Sequence, residues 1–292
     1  MAPNAPNPNR PRIGLALSGG AARGISHVGV LKALAEYEIP IDCIAGTSAG
    51  ALVGGVVASG MPMAEIEAIG RTLRWRDIGR VTMSRLGVQS NQRLENYLRE
   101  RLPVTRFEDL AIPLAVVATD LKSGTAVVMR DQGDLPFAIR ASCAIPGWYV
   151  PVIDSEGRQL VDGALVANLP TFVARDLGAE LVIAVDVNAE GATFIGQTQS
   201  VISVVLQSML VFQRTAGVAQ LKEADCVIMP RVGHIRWDEM SRGEEFMAAG
   251  YEATVEAIPR IKALIETMIK ARPKWYQLRR KAVQVPQLSQ RS

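Results

Sequence analysis

Short apolar runs alternate with stretches of helical periodicity along most of the chain. Residues 13–18 and 181–187 are apolar runs of the kind found in strands that are buried on both faces of a parallel sheet. Between them, Ile25, Val28 and Leu31 fall on one face of a helix. Strands and helices that alternate in this way predict an α/β fold, a three-layer α/β/α domain with a largely parallel central sheet.

The same pattern sets the expected bounds of the elements. Strands are expected over 13–18, 41–47, 114–119, 125–130, 150–153, 159–161, 181–187 and 225–229. Helices are expected over 25–38, 49–59, 61–73, 93–101, 135–142, 171–177, 197–216 and 241–269. Residues 74–89 are basic and show no regular pattern. The expected caps of three of these helices are Ser90 or Asn91, Gly178 and Ser241.

Composition and length favour one globular domain. The 292 residues are 48% hydrophobic and 21% charged, which is ordinary for a soluble protein with a sizeable core. No repeat or linker interrupts residues 13–270, so we expect one domain there. A Pro/Asn-rich segment, 1–12, is the expected disordered tail before it, and 271–292 is a basic tail after it.

Charge and cysteine content exclude several classes of protein. The net charge of +3 arises from basic residues in the two tails, so the body is acidic and we expect no nucleic-acid partner. The three cysteines, Cys43, Cys143 and Cys226, are far apart in the sequence, which favours free thiols over a disulfide framework. The chain has only two histidines, His27 and His234, so a metal site is not expected either. The N-terminal segment lacks the apolar core of a secretory signal. Together these features predict a cytoplasmic protein.

The first candidate for chemistry is the stretch Gly46-Thr47-Ser48-Ala49-Gly50, at the junction of a predicted strand and a predicted helix. The G-x-S-x-G spacing is typical of a nucleophile elbow, a tight turn that exposes a serine Oγ above a sheet. Gly46 and Gly50 fit this turn because a side chain at either position would crowd the helix that follows. We therefore expect Ser48 to be a nucleophile.

A glycine-rich loop, Gly19 to Gly24, joins the first predicted strand to the first helix. Such a loop can hold the phosphates of a nucleotide, but Ala21 stands where the dinucleotide-binding pattern requires its second glycine, and the chain has no P-loop motif. The other use is an oxyanion hole made of backbone N–H groups beside the serine. Arg23 is a candidate to fix the loop by bonding to its carbonyl groups.

Three residues are candidates for the base that Ser48 needs. His27 lies on the helix after the glycine loop, near its apolar face, where a buried structural histidine is the alternative. His234 comes late in the chain, in the position that an α/β-hydrolase histidine takes. Asp162 ends a predicted strand before Gly163, where the alternative is an ordinary turn.

Three motifs occur in order: Ser18-Gly19-Gly20-Ala21-Ala22-Arg23-Gly24, Gly46-Thr47-Ser48-Ala49-Gly50 and Asp162-Gly163-Ala164. As a set they resemble those of the patatin-like phospholipases, in particular the bacterial branch related to the catalytic domain of neuropathy target esterase. Residues 140–147, Arg-Ala-Ser-Cys-Ala-Ile-Pro-Gly, are similar to that branch as well. The resemblance covers about residues 13–250.

The resemblance implies a patatin-like fold and a lipid acyl hydrolase that uses a Ser–Asp dyad, with no catalytic histidine, metal or cofactor. It implies that Ser48 is the nucleophile and Asp162 the base, acting on a phospholipid or lysophospholipid. The oxyanion hole is then made by Gly19, Gly20 and Ala21, with Arg23 holding the loop. The remaining motif positions that match the family are Gly24, Gly46, Gly50, Gly163 and Ala164.

Two features of this dyad set conditions on the site. The family has glycine where this chain has Ala21, and a methyl group is tolerated there if φ is negative. A free aspartate has a pKa of about 3.9, so it is a weak base unless the site is dry. We expect the apolar residues Ile145, Trp148 and Tyr149 to provide that environment and to receive an acyl chain.

Two segments bear on partners. The helix expected over 197–216 is largely apolar and is interpreted as a core or homo-oligomer helix, with membrane contact as the alternative. The basic tail, with Trp275 and Tyr276, suits an anionic membrane surface or a solvated tail, so peripheral membrane contact stays open. A non-catalytic regulator that binds lipid or protein on the same fold is the alternative function.

Overall fold

The protein is described by a computed structural model that covers residues 9–188 and 200–272. Its strands are β1 (Ile13–Leu17), β2 (Cys43–Thr47), β3 (Arg80–Val81), β4 (Gly87–Ser90), β5 (Leu114–Asp120), β6 (Ala126–Arg130), β7 (Gly147–Tyr149), β8 (Val152–Ile153), β9 (Gln159–Asp162), β10 (Leu181–Val185) and β11 (Cys226–Ile228). Its helices are α1 (Ser26–Glu36), α2 (Ala49–Ala58), α3 (Met63–Thr72), α4 (Trp75–Ile78), α5 (Gln92–Arg101), α6 (Leu135–Ser142), α7 (Ala164–Ala167), α8 (Thr171–Asp176), α9 (Val201–Lys222) and α10 (Gly243–Ala271). Short 3₁₀ turns lie at Ala21–Ile25, Phe107–Asp109 and Met240–Arg242.

The central sheet runs in the order β11-β10-β1-β2-β5-β9-β8, and β6 pairs with β5 as well. The pairs from β11 to β5 are all parallel. β6, β8 and β9 pair antiparallel, at the side of the sheet beyond β2. The predicted α/β/α fold with a largely parallel sheet is therefore confirmed.

Both faces of the parallel strands are buried, and successive residues of a strand enter different cores. Leu15 and Leu17 of β1 pack in a large core that includes Leu31 of α1 and Phe246 of α10. Ala16, between them, packs in a smaller core on the other face. The small core is rich in alanine, which lets its helices approach the sheet closely. Burial on both faces explains the continuous apolar runs in the sequence.

The segment expected to be irregular, 74–89, is partly ordered. It contains α4, β3 and the start of β4, and β4 pairs in parallel with β7 in a small second sheet of order β3-β4-β7. β3 has two residues and β4 has four, which is too short for a periodic pattern to appear in the sequence. The expectation of an irregular segment was therefore wrong in part.

Helix ends differ from the expectation where long-range contacts decide them. α9 continues to Lys222 instead of ending at 216, because Gln220 near its end accepts hydrogen bonds from Leu169 N (2.8 Å) and Thr171 Oγ1 (2.9 Å). Residues 197–199 of the expected helix lie outside the described part of the chain. Ser241 lies within a 3₁₀ turn and α10 begins two residues later, so its expected role as N-cap was wrong.

Two other expected caps have different outcomes. The expected cap at Gly178 is confirmed, with a φ of +91° and an N–H that bonds to Arg175 O. At α5 the N-cap position is Asn91, but its side chain donates to Arg140 O (2.8 Å). The alternative, Ser90, accepts from Gln92 N at the first residue of the helix (3.3 Å).

The segment 1–12 was expected to be a disordered tail, but its last residues, next to β1, are bonded to the domain. Arg10 forms a bidentate pair with Asp42 (2.6 and 2.8 Å), and Arg12 N donates to Glu180 Oε2 (2.7 Å). Residues 1–8 and 273–292, and with them most of the basic tail, lie outside the described part of the chain. Within 9–188 and 200–272, no helix combines the length and apolar character that crossing a bilayer requires.

Candidate active site

Ser48 occupies the turn between β2 and α2 in a conformation that is rare outside glycine, with φ 53° and ψ −121°. Such backbone strain costs roughly 1–3 kcal/mol and persists where the surroundings enforce it. Here Ser48 N donates to Ser142 Oγ (2.8 Å), and Ser142 Oγ donates to Val117 O (2.6 Å). The strained turn is thus held by α6 and β5.

Gly50 allows α2 to lie against the end of β1. A Cβ at this position would come within 2.3 Å of Leu17 O, a backbone atom that has no room to move. Gly24 plays the same part on the glycine loop, where a Cβ would lie 2.2 Å from the Cβ of Ala49. These close approaches explain both glycines and bring the loop against the first residue of α2.

The pairing of β5 places Asp162 beside Ser48. Val117 of β5 is opposite Thr47, and the next residue, Ala118, is opposite Asp162 of β9. β6 occupies the other edge of β5 over this stretch, so β9 continues along the edge where β2 ends. Ser48 Oγ donates to Asp162 Oδ2 at 2.6 Å.

The backbone around Asp162 is fixed on both sides. Its N–H donates to Ala144 O (2.9 Å), and its carbonyl oxygen accepts from Thr119 Oγ1 (2.9 Å). The second carboxylate oxygen, Oδ1, accepts from Ala164 N (2.9 Å). Asp162 and Ser48 are both buried, with exposed fractions of 4% and 6%. The carboxylate is therefore oriented by its own turn and is screened from water.

Burial raises the pKa of Asp162 to about 6, and the hydrogen bonds from Ser48 and Ala164 oppose this rise. The carboxyl group is then ionised at neutral pH, yet it is a stronger base than a free aspartate. Cys143 is a neighbour whose thiol pKa is raised by burial and by the charge of Asp162, so it stays protonated. The site thus meets the requirement for a dry environment.

Of the three loop N–H groups expected as oxyanion donors, one is already bonded to the backbone. Gly19 N donates to Asn168 O (3.1 Å), so Gly19 is removed from the expected set of oxyanion donors. Gly20 N and Ala21 N have no acceptor among the described residues, and both residues line the cavity that also contains Ser48 and Asp162. Ala21 has a φ of +50°, so the expected condition of a negative φ is not met.

Arg23 fastens the loop to a distant segment. It is buried and donates Nε to Ile235 O (3.0 Å), and Nη2 to Ile235 O (2.6 Å) and Gly233 O (3.3 Å). Ala22 N of the loop also donates to Trp237 O (2.9 Å). The segment 233–237 therefore supports the loop, a link that the sequence did not indicate.

Neither histidine is hydrogen-bonded to Ser48 in the described part of the chain. His27 is fully buried, and because Ser18 O can only accept, its Nε2 donates to that oxygen (2.9 Å). Burial lowers the pKa of His27 to about 4, so it is neutral and holds the end of β1. His234 is exposed and pairs with Glu245 (2.8 Å). The alternative of a buried structural histidine therefore describes His27.

The cavity at Ser48 has mostly apolar walls, drawn from several parts of the chain. Ile145 lines it as expected, but Tyr149 is buried in a separate core cluster against which Trp148 packs. The larger contribution comes from one face of α9, with Leu206 and Met209 among its lining residues. A helix that the sequence assigned to a core or an oligomer thus faces the site.

Several polar residues of the site were not found from the sequence. Asn168 lines the cavity, and its Oδ1 is buried without a partner in the described part of the chain. Ser142 lies within the motif at 140–147, where nothing in the sequence indicates its bond to the strained turn. The described residues contain no group of three or more side chains suited to a metal ion.

Comparison with known proteins places these features in a family. The family profile described as "Patatin-like phospholipase" matches residues 15–175. An uncharacterised NTE family protein of Mycobacterium tuberculosis is 40% identical over 185 residues, which is 62% of this chain and 51% of that protein. Patatin-like phospholipase domain-containing protein 7 of Rattus norvegicus is 34% identical over 194 residues, 62% of this chain and 14% of its own length.

The crystal structure of VipD from Legionella pneumophila has a similar fold, with a TM-score of 0.53 at 16% identity over 87% of this chain and 67% of that chain. The region shared with the mycobacterial relative is about half of that protein's length.

Proposed function

The chain belongs to the patatin-like phospholipase family, and we propose that it is a lipid acyl hydrolase in which Ser48 and Asp162 form a catalytic dyad. The observation that carries the proposal is the 2.6 Å bond from Ser48 Oγ to Asp162 Oδ2, in a cavity shared with two unpaired loop N–H groups. Family membership supports the lipid substrate. The proposed substrates are phospholipids or lysophospholipids.

The proposed reaction begins when Ser48 Oγ attacks the carbonyl carbon of the acyl ester while its proton moves to Asp162 Oδ2. The oxyanion of the tetrahedral intermediate accepts hydrogen bonds from Gly20 N and Ala21 N, each worth about 3–4 kcal/mol in related sites. Asp162 returns the proton to the leaving alkoxide, and the ester C–O bond breaks. Water then attacks the acyl-Ser48 ester with Asp162 as base, which releases the fatty acid and restores Ser48.

The raised pKa of Asp162 supports its double role in this reaction. A group with a pKa of about 6 accepts the serine proton more readily than a carboxylate at 3.9. Its protonated form is still a far stronger acid than an alcohol, so it can return the proton to the leaving alkoxide. Ser48 already directs its proton to the carboxylate, so no reorientation is needed before attack.

A second, apolar cavity suits the acyl chain. It lies between α2, α3 and α5, and Ala21 lines both this cavity and the one at Ser48. Ala49, the residue after Ser48, lines it as well, followed one turn later by Val53. We propose that the acyl chain of the substrate extends from Ser48 past Ala21 into this space.

Filling that cavity should change chain-length preference. We expect Val53→Phe to reduce hydrolysis of a p-nitrophenyl dodecanoate about tenfold or more, with hydrolysis of the butyrate ester within about threefold of wild type, since only the long chain needs the space. Val53→Ala should leave the long ester at least as good a substrate. Equal losses on both esters, or no change on either, would place the acyl chain elsewhere.

The test of the function itself is reaction with a fluorophosphonate, which forms a stable phosphonyl ester with an activated serine. The proposed enzyme takes up one probe per folded chain. A folded protein that forms no adduct would instead support the alternative, a non-catalytic regulator that binds lipid or protein on the same fold.

A further inference from the structure

The β3–β4 hairpin, residues 80–90, exposes large apolar side chains outside the site. Val81, Met83 and Leu86 are 73%, 103% and 58% exposed, and Val88 is exposed as well. Isolated exposed apolar residues are common in proteins, but here they are concentrated in one short hairpin. Such a concentration marks a surface that another apolar phase covers.

The hairpin is also cationic. Arg80 and Arg85 are exposed, and neither forms an ion pair within the described residues. The sequence has no acidic residue between Asp77 and Glu95. Two copies of such a hairpin would bring like charges together with no carboxylate on the hairpin to offset them, which disfavours a second copy as its partner.

The hairpin is connected to the wall of the site. Gly87 and Gln89 of β4 pair with Gly147 and Tyr149 of β7, directly after Ile145, which lines the cavity at Ser48. α9 contacts the same strand, and it carries exposed Val205 and Phe212 while other residues of α9 face the cavity. The exposed apolar surface of the hairpin is therefore close to the elements that surround Ser48.

We propose that this hairpin docks the protein on a phospholipid bilayer with anionic headgroups. Met83 and Leu86 enter the interface, and Arg80 and Arg85 contact the headgroup phosphates. Arg80 and Val81 pair with Ser90 and Gln89, and the loop 82–86 that carries Met83 and Leu86 would lie in the headgroup region, where water and phosphates can bond to its backbone. The purpose of the docking rests on the proposed lipid hydrolase function, since it brings the lipid substrate to the wall of the site.

Binding is measured by sedimentation of the full chain with two kinds of vesicle. One is made of ether-linked phosphatidylcholine alone, and the other also contains about 30 mol% ether-linked phosphatidylglycerol, which mimics an anionic leaflet. Ether lipids have no acyl ester, so binding is observed without hydrolysis. We expect Met83→Ser/Leu86→Ser to bind both vesicles about tenfold or more weakly, because two apolar side chains no longer enter the interface. Arg80→Gln/Arg85→Gln should bind about tenfold more weakly to the anionic vesicles alone.

The matched control is Phe172→Ser/Ile269→Ser, which removes two exposed apolar side chains far from the hairpin in sequence and should bind like wild type. All variants should hydrolyse the water-soluble p-nitrophenyl butyrate within about twofold of wild type, which shows that they are folded. Wild-type protein that does not sediment with anionic vesicles overturns the proposal, as does Met83→Ser/Leu86→Ser that binds like wild type. A hairpin-dependent dimer in sedimentation equilibrium also overturns it, in favour of a second copy.

Vesicle binding tests the docking, and ester hydrolysis tests the proposed reaction, so the two proposals can be contradicted separately. Protein that binds the vesicles but hydrolyses no ester leaves docking in place and contradicts the proposed function. Protein that hydrolyses the soluble ester but does not bind contradicts docking alone.

Discussion

Ser48→Ala is expected to lower the release of fatty acid from a phospholipid by about 10⁴-fold or more, because the variant has no Oγ to accept the acyl group. The two loop N–H groups and the cavity remain, so some residual rate above that in water is expected. The measurement is chromatographic and mass-spectrometric analysis of the fatty acid and lysophospholipid produced by purified wild-type and variant protein.

His234→Ala is the matched control for Ser48→Ala. His234 is exposed and paired with Glu245, outside the cavity, so its loss should leave fatty-acid release within about twofold of wild type. Ser48→Ala that retains substantial activity would contradict the nucleophile assignment. Inactive His234→Ala that is still folded would favour a serine–histidine mechanism.

Asp162→Asn is expected to lose about 10³-fold or more in activity while gaining stability. The amide keeps the shape of the carboxylate and can still accept from Ala164 N, but it cannot take the proton of Ser48. Because burial disfavours the charged carboxylate, its replacement by a neutral group removes an unfavourable term at neutral pH. A buried charge that function requires is expected to lower the stability of the folded protein.

The sign and pH range of the stability change follow from linkage. In the native state Asp162 has a pKa of about 6, above the value of 3.8 in the unfolded chain, so the native state binds the proton more tightly. The contribution of Asp162 to stability is fully present below about pH 4 and is lost as the pH rises through 6, by about 3 kcal/mol in all. Above pH 7, Asp162→Asn should therefore unfold at a higher denaturant concentration than wild type, by up to that amount of free energy.

The same pKa shapes the activity of the wild type. Since the ionised carboxylate is the base, kcat/KM should fall tenfold per pH unit below about 6 and level off above it. A profile with no inflection between about pH 5 and about pH 7, one unit either side of the pKa, would contradict the role of Asp162 as base. Full activity of Asp162→Asn would contradict it as well.

The sequence predicts the parts of the site that depend on local chain geometry. Gly46 and Gly50 around Ser48 indicate a tight strand-to-helix turn, and the turn is present with the strained φ that such a position requires. The parallel strands were predicted because burial on both faces leaves a continuous apolar run.

What the residue pattern alone left open depends on pairing between distant segments, and Asp162 was singled out only by the family resemblance. Asp162 lies beside Ser48 because β9 pairs antiparallel with β5 where β2 ends, and a four-residue strand carries no signal of its partner or direction. Gly19 has the right residue type for an oxyanion donor, but its N–H is already bonded to Asn168 O. A motif identifies residues that could donate and does not say which donors are free.

Ala21 adopts a backbone conformation that favours glycine. Its φ of +50° costs an alanine about 1 kcal/mol relative to glycine. The loop keeps this conformation because Arg23 and Ala22 N fasten it to residues 233–237. Those contacts span more than two hundred residues, and local sequence patterns carry no information on them.

The most direct test of the account is to map the fluorophosphonate adduct by mass spectrometry of peptides from folded protein. The account predicts one adduct per chain, on the peptide that contains Ser48, with labelling slowed at least tenfold in Asp162→Asn. No adduct on folded wild-type protein, or an adduct on Ser142 or another serine in place of Ser48, would contradict it.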